Sequence, residues 1–395
     1  MYIKNRCEKL QTDIFETRLL GEKVICMTGA DYARLFYDTE KFERKNAAPK
    51  RVQKTLLGEN AVQGMDGKAH LHRKHLFMSF MDKSNQEKLA GLITENWLVS
   101  VNDWTKSENI VLFDEAKNNL CKAACQWAGV PVSNSELTER ADDFAAMVDA
   151  FGSAGPRYWK GKRARTRCEG WMQGNIKNVR FGKLNTEAGT ALHEIAFHKD
   201  MDGNLLDEKI AAIELINAIR PIVAISTYIA FMAVALHNNA DCRQPLQNGD
   251  EEYFLMFVQE VRRFFPFTPF VGARVKQDFT WNNFKFPADT LTLLDVYGIN
   301  HDTRIWNEPF TFRPEHFRNW NGDMFSFIPH GGGDPASGHR CPGEGITVEI
   351  LKAALDFLVN KIEYKMPKQD LSYNLAQIPT LPKSKVILTS IRRKV

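Results

Sequence analysis

The stretch Met324–Glu349, MFSFIPHGGGDPASGHRCPGEGITVE, decides the fold class because it sets a single cysteine, Cys341, in a glycine-rich loop. The run Ile346–Leu358 that follows is apolar and favours a helix. Backbone N–H groups at the start of a helix favour an anion, so this position favours thiolate over thiol. Since no second cysteine lies nearby, the sulfur suits one open metal bond better than a closed zinc site.

Thiolate ligation of haem iron is one use of such a position, and it promotes cleavage of an O–O bond. The alternative is that Cys341 is an ordinary small core residue, as an isolated free cysteine often is. The loop around Cys341 and the features described below favour the ligand interpretation.

Composition indicates a globular protein that does not bind nucleic acid. The chain has 395 residues, of which 44% are hydrophobic and 25% charged, as is usual for a globular domain. The sequence contains no low-complexity run or internal repeat, so we expect one compact domain over residues 1–395. The net charge of +4 is too small to imply nucleic acid. The basic run Lys160–Cys168 is interpreted as a solvated face rather than an anion-binding patch.

Cysteine usage and hydropathy predict a protein of the reducing cytoplasm. The seven cysteines are odd in number and scattered, with no disulfide framework or zinc pattern. The first residues lack the apolar core of a signal peptide. The longest apolar run, Ile222–Leu236, is too short to span a bilayer. We therefore interpret this run as a buried helix and expect no stable membrane insertion.

Helical periodicity dominates the chain. The expected helices are His72–Met81, Asn85–Ser107, Phe113–Gly129, Asn134–Phe151, Arg163–Phe181, Leu192–His198, Lys209–His237, Glu251–Phe265 and Gly345–Asn360. The expected strands are short: Lys23–Met27, Phe270–Val275, Phe279–Trp281, Thr290–Asp295 and Val386–Thr389. The pattern predicts a mainly α fold with small β-sheets.

On the residues of the cysteine loop, the chain resembles the cytochrome P-450 superfamily and, within it, the bacterial fatty-acid peroxygenases. Gly343 follows Cys341 at the family spacing, whereas His339 holds the position that is usually arginine. Gly331–Gly333 and Asp334–Ser337 enlarge the loop, as in the peroxygenase branch. The resemblance implies the cytochrome P-450 fold with haem b, iron protoporphyrin IX, between the Lys209–His237 helix and the Cys341 loop. Cys341 would be the axial thiolate ligand of the iron.

A second motif is Glu260-Val261-Arg262-Arg263, in which glutamate and arginine share one helix face. On a generic helix, such a pair is a surface ion pair that contributes little to stability. The resemblance implies instead a buried pair joined by a basic residue of a later segment, here His316 in place of the usual arginine. We assign Glu260, Arg263 and His316 to assembly of the scaffold, not to catalysis.

The centre of the Lys209–His237 helix carries Arg220-Pro221, where monooxygenase members of the family carry an acid–alcohol pair. An arginine among apolar residues is costly unless it is paired. One interpretation is a structural ion pair within the protein, and the other is that the partner is the carboxylate of a long-chain fatty acid. Guanidinium and carboxylate match as a two-pronged pair. We expect Arg220 and Pro221 to be catalytic residues, with Arg220 also binding the substrate.

This interpretation predicts a peroxygenase. Hydrogen peroxide would be the co-substrate, and the carboxylate held by Arg220 would act as general acid–base. Because the head group would be fixed near the iron, the α and β carbons would be oxidised. We expect no obligatory redox partner.

Further site residues follow from the resemblance. Gln63 aligns with a position of the distal pocket, where it would contact the substrate and take part in catalysis; its neutral amide favours hydroxylation over decarboxylation. His70 and Lys74 share a helix face in the segment that binds the haem propionates, and Arg44 is a third candidate. As isolated residues, all of these would be ordinary surface polar groups.

Four other functions compete with this interpretation. The His330-Gly331-Gly332-Gly333 run matches an oxyanion-hole motif, but the Gly-x-Ser-x-Gly elbow of an esterase is absent from the sequence. A haem sensor or electron carrier would need no arginine over the iron. A monooxygenase that depends on redox partners is disfavoured by the missing acid–alcohol pair. A decarboxylase that forms terminal alkenes remains an alternative.

Overall fold

The computed structural model describes residues 2–19 and 21–394, and helices form most of it. The helices are α1 Tyr2–Leu10, α2 Ala30–Phe36, α3 Lys50–Val52, α4 Gly67–Ser79, α5 Lys83–Trp104, α6 Leu112–Ala128, α7 Asn134–Asp149, α8 Pro156–Arg180, α9 Ala191–Phe197, α10 Glu208–Ala224, α11 Ser226–Asn238, α12 Arg243–Gln247, α13 Glu251–Phe264, α14 Val296–Asn300 and α15 Glu344–Asp356. The strands are β1 Ile14–Leu19, β2 Glu22–Met27, β3 Phe42–Glu43, β4 Asn109–Val111, β5 Phe270–Val275, β6 Phe279–Trp281, β7 Phe284–Phe286, β8 Leu291–Asp295, β9 Ile362–Lys365 and β10 Ile387–Arg393. The predicted fold class, mainly α with small sheets, is confirmed.

The largest sheet joins both halves of the chain. Its order is β1-β2-β8-β5-β3, and β2 pairs in parallel with β8, so Val24 lies opposite Leu291 and Met27 opposite Leu294. A three-stranded sheet, β4-β10-β9, and the hairpin β6-β7 complete the β structure. The sheets lie at the edge of the helical body, and the long helices build its core.

The central helices α10 and α11 are apolar on all faces, which is typical of a helix enclosed by other helices. They pack against α6, α8, α13 and α15. Between Ala211 and Leu236 every residue is buried except Pro221. By length and composition the stretch Glu208–Asn238 could cross a membrane, but 94% of its most apolar window is buried inside the protein. This stretch is therefore a core element, as predicted.

The single helix predicted over Lys209–His237 is wrong in one respect, because two helices meet at Ile225. The Ile225 amide donates to the Ile222 carbonyl at 3.1 Å, so a tighter turn separates α10 from α11. Pro221, which lacks an N–H donor, lies inside α10, and the helix continues to Ala224, so the proline itself does not end the helix. The helices α4 and α8 also begin before their predicted starts at His72 and Arg163, and Pro156 occupies a first-turn position that suits proline.

Candidate active site

The loop before α15 holds Cys341 in a partly accessible position, whereas the other six cysteines, all within the described residues, are buried. The Cys341 amide donates to the His330 carbonyl at 2.9 Å, which closes the loop. Gly331 has a φ of 92°, and a Cβ there would lie 2.8 Å from the Tyr37 hydroxyl. Only glycine fits that position, so the glycine-rich sequence is what allows the tight approach.

Opposing effects act on the Cys341 sulfur. Shielding from water raises the pKa of the thiol, and the Glu344 carboxylate raises it further. The Gly343 amide, which bonds to the sulfur, and the cations Lys74 and Arg262 lower it. The expectation that the loop amides alone favour thiolate is therefore incomplete, because desolvation outweighs them. A metal cation bound to the sulfur would deprotonate it outright.

The structure brings together the three residues assigned to scaffold assembly. Arg263 Nη2 and Nε donate to the two Glu260 carboxylate oxygens at 2.6 and 2.7 Å, and both side chains are fully buried. His316 Nδ1 lies 3.1 Å from Glu260 Oε1, and the Arg313 amide donates to the same oxygen at 2.8 Å. Arg263 also donates to the carbonyls of Asn300 and Pro309. This pair thus ties α13 to the irregular segment that leads into the cysteine loop.

Replacing Glu260 by alanine should therefore lower the free energy of unfolding by about 3–5 kcal/mol, because Arg263 would be left as a buried charge without its partner. Urea unfolding of the purified protein measures this loss. Glu349→Ala is the matched control, because Glu349 forms a half-buried surface pair with Lys352 that should contribute about 0–1 kcal/mol. Equal losses for the two variants would contradict the structural role of Glu260.

Arg220, on helix α10, is buried and has no carboxylate partner among the described residues. Its Nη2 donates to Asn217 Oδ1 at 3.2 Å, and its buried Nε has no acceptor. Burial, together with the smaller effect of the Arg165 charge, lowers the pKa of Arg220 to about 9, although the Cys341 sulfur opposes this shift. The side chain therefore stays cationic at neutral pH and is close enough to interact electrostatically with the Cys341 sulfur. The interpretation of Arg220 as half of an internal ion pair does not fit the described residues.

Asn217, which the sequence analysis did not single out, connects Arg220 to the rest of the distal site. Its Nδ2 donates to the Leu57 carbonyl at 3.0 Å, to Glu214 Oε2 at 3.2 Å and to Gln63 Oε1 at 3.4 Å. The fully buried Glu214 accepts from Arg73 Nη1 at 2.8 Å. Glu214 does not bond to Arg220 directly, but Asn217 bonds to both side chains.

The solvent exposure of individual residues shows where the site around Arg220 is open. Pro221, next to Arg220, is exposed although its neighbours on both sides are buried, so α10 is accessible at this residue. Gln63 lies half-buried in the short turn Val62–Gly64 and bonds to Asn217. The structure therefore brings the three predicted catalytic residues, Arg220, Pro221 and Gln63, to one place.

The residues predicted to bind the propionates also lie together, at the edge of the cysteine loop. Lys74 Nζ donates to the carbonyls of Gly338 and, at 2.5 Å, Arg340. The His70 ring stacks on His339 at 4.1 Å, and burial lowers the pKa of His70 to about 3. Arg44 Nη2 is buried and lacks an acceptor. The ring of His70 is thus neutral, so Lys74 and Arg44 are the stronger cations of the three.

These features fit a haem group. The described residues offer a partly accessible Cys341, an accessible stretch of α10 at Pro221, and the unpartnered donor of Arg44. No group of three or more His, Cys, Asp or Glu side chains in the described ranges could hold a bare metal ion instead. Cys341 would hold the iron, while Arg44, Lys74 and His70 would face the propionates.

Comparison with known sequences gives one family. The cytochrome P450 family model matches residues 249–388. Among curated proteins, cytochrome P450 71D94 of Mentha gracilis is 24% identical over 315 residues, which are 69% of this chain and 62% of that protein. Cytochrome P450 3A17 of Cavia porcellus is 31% identical over 140 residues, 35% of this chain and 26% of that protein. The chain thus spans less than two thirds of the curated relatives it matches.

Solved structures match over the whole chain. A variant of cytochrome P450SP alpha (CYP152B1) has a TM-score of 0.97 and 44% identity, covering 100% of this chain and 97% of that one. Cytochrome P450EX alpha (CYP152N1) with myristic acid has a TM-score of 0.96 and 44% identity, covering 100% and 95%. A variant of cytochrome P450 OleT in complex with arachidonic acid has a TM-score of 0.97 and 36% identity, covering 100% and 94%.

Proposed function

Because the chain belongs to the cytochrome P450 family and, within it, to the fatty-acid peroxygenase branch, we propose that it hydroxylates long-chain fatty acids at the α or β carbon with hydrogen peroxide. One fatty acid and one peroxide give one hydroxy acid and one water. The observation that supports this proposal most is Arg220, a buried guanidinium next to the exposed Pro221; among the described residues it has an amide but no carboxylate as partner. Relatives solved with myristic and arachidonic acid support this substrate class.

Arg220 supplies the site for the head group. A fatty-acid carboxylate that bonds to its free N–H groups forms a charge-assisted pair that contributes on the order of 1.5–3 kcal/mol. Burial of each methylene of the acyl chain adds about 0.8 kcal/mol. Since the head group is fixed at Arg220, the α and β carbons are the ones nearest to the reacting centre.

The haem, when bound, supplies the oxidising chemistry through its thiolate-ligated iron. The residues of α10 provide no acid–alcohol pair at Arg220-Pro221, and Glu214 is held by Arg73 and the Val62 amide. The carboxylate held by Arg220 therefore takes the role of general acid–base, moving a proton from one peroxide oxygen to the other. The proposed reaction needs no redox partner. We also propose that the protein acts in the cytoplasm.

The test is turnover of purified, haem-loaded protein with hydrogen peroxide and a long-chain fatty acid, in the absence of any reductase. We expect α- or β-hydroxy acids as the main products, with terminal alkenes as a minor fraction, because Gln63 offers only neutral hydrogen bonds. A strict requirement for electrons from a reduced nicotinamide cofactor would overturn the proposal.

Asn217 should act as a positioning residue for Arg220. Asn217→Ala removes the amide that orients the guanidinium and should weaken fatty-acid binding about tenfold, which corresponds to the loss of one hydrogen bond to a charged group. Titration of the haem absorbance with fatty acid measures this constant. Asn175→Ala is the control, because Asn175 is a buried amide that bonds within its own helix. Unchanged affinity in Asn217→Ala would disprove the positioning role.

A further inference from the structure

Four charged or polar side chains in and next to the Cys341 loop form a largely buried cluster. We name Arg262, His330, Arg340 and Glu344 the proximal cluster. Arg262 Nη2 bonds to Glu344 Oε1 and lies 3.0 Å from His330 Nδ1, and Arg340 Nε donates to Glu344 Oε2 at 2.5 Å. The two arginines thus bind the two oxygens of one carboxylate. The peroxygenase mechanism proposed above uses none of these groups.

The proximal cluster carries a net positive charge and is largely shielded from water. Arg262 is 1% exposed, and the side chains of Glu344 and Arg340 are 14% and 20% exposed. The arginines hold the pKa of Glu344 at about 2, and burial lowers the pKa of His330 to about 3, so His330 is neutral. Two guanidinium cations and one carboxylate leave one excess positive charge. Charges interact more strongly here than at the surface because water does not screen them.

The cluster is coupled to the cysteine through the chain and through space. The His330 carbonyl accepts the Cys341 amide at 2.9 Å, Arg340 directly precedes Cys341, and Glu344 follows it by three residues at the start of α15. Arg262 and Glu344 carry opposite charges, and both act electrostatically on the Cys341 sulfur. A change in either residue therefore changes the electrostatic potential at the sulfur.

We propose that the proximal cluster sets how strongly the Cys341 sulfur donates charge to the haem iron, and thereby sets the reduction potential of the haem. Arg262 and Arg340 withdraw charge from the thiolate, while Glu344 limits that withdrawal by balancing one of the two cations. Outer-shell partners that act on a metal ligand are a general means of tuning a bound metal. The inference rests on ligation of haem by Cys341 and not on the fatty-acid substrate.

Removing the glutamate and removing an arginine should shift the reduction potential of the haem in opposite directions. Glu344→Gln removes a negative charge and keeps the shape, so the reduced, more negative state of the haem becomes more stable. Arg262→Gln and Arg340→Gln each remove a positive charge and should have the reverse effect. A merely structural role of these residues would not give shifts of opposite sign.

The experiment is a spectroelectrochemical titration of haem-loaded protein without substrate, on variants that retain the thiolate-type carbon-monoxide spectrum. At a fixed potential, Glu344→Gln should raise the ratio of reduced to oxidised haem about tenfold, which is about 59 mV for one electron. Arg262→Gln should lower the ratio by a similar factor. If Arg262→Gln does not load haem, Arg340→Gln provides a second test, because it should also lower the ratio of reduced to oxidised haem.

Glu349→Gln is the matched control, because Glu349 lies on the same helix in a half-buried pair with Lys352. It should leave the ratio unchanged, and the double variant Arg262→Gln/Glu344→Gln should return close to the wild-type value. Shifts of the same sign in the glutamate and arginine variants, or a Glu344→Gln value equal to that of Glu349→Gln, would overturn the proposal. Absence of a thiolate-type spectrum in the wild type would instead disprove ligation by Cys341.

Discussion

Arg220→Ala should lower peroxide-dependent turnover of long-chain fatty acids by about 10²–10⁴-fold, the range that positioned general acid–base groups contribute. Without the guanidinium, the substrate carboxylate loses its partner and is no longer held where it can move the peroxide protons. The measurement is the rate of hydroxy-acid formation at saturating hydrogen peroxide. The haem site should survive, because Arg220 bonds only to Asn217 among the described residues.

Arg220→Lys is the control for charge. It keeps the cation but loses the planar fork that holds a carboxylate in one orientation. We expect intermediate activity for this variant, and an unchanged carbon-monoxide difference spectrum for both variants. Wild-type rates in Arg220→Ala would mean that another residue holds the head group, and the assignment of Arg220 would be wrong.

Cys341→Ala should abolish both the thiolate-type spectrum and all peroxide-dependent turnover, because the sulfur would be the only axial ligand that the protein supplies to the iron. Difference spectra with carbon monoxide, recorded beside product analysis, measure the two effects. Cys168→Ala is the control, because Cys168 is a fully buried thiol on α8 whose pKa burial raises. A thiolate-type spectrum that persists in Cys341→Ala would exclude this residue as the ligand.

Local sequence patterns predicted the long helices and some of the strands, but they missed the helices α1 and α2 and the strands β1 and β9. The strands Phe270–Val275 and Phe279–Trp281 were predicted with their observed ends, because turn residues flank them. The helix Glu251–Phe264 carries strong one-sided hydrophobicity and ends one residue before its predicted end. Such features depend on neighbours within one or two turns, which the sequence displays directly.

The break at Ile225 shows a limit of periodicity. The residues on both sides of Ile225 are apolar and helix-forming, so the periodic pattern continues across the break. Whether a proline bends a helix or ends it depends on what satisfies the freed carbonyl and how neighbouring helices pack. The neighbouring helices are α6, α8 and α13, and their packing cannot be read from the sequence around Ile225.

Contacts between distant segments explain what was missed in the site. The pair Arg73–Glu214 joins residues 141 positions apart, and Arg262–Glu344 joins residues 82 positions apart. The motif Glu260–Arg263 predicted a buried pair, but nothing in it distinguishes Arg262 from a surface arginine. Asn217 lies one turn before Arg220, and that i, i+3 spacing was the one signal that could have indicated its role.

The central claim is that the carboxylate of the substrate performs the proton transfer for which the chain has no side-chain acid beside Arg220. A comparison of a long-chain fatty acid with the primary alcohol of equal chain length, at equal hydrogen peroxide and without reductase, tests it most directly. We expect hydroxylation of the acid and turnover of the alcohol at least about a hundredfold slower, because the alcohol can neither pair with Arg220 nor act as general acid–base at neutral pH. Similar rates for the two compounds would contradict the account.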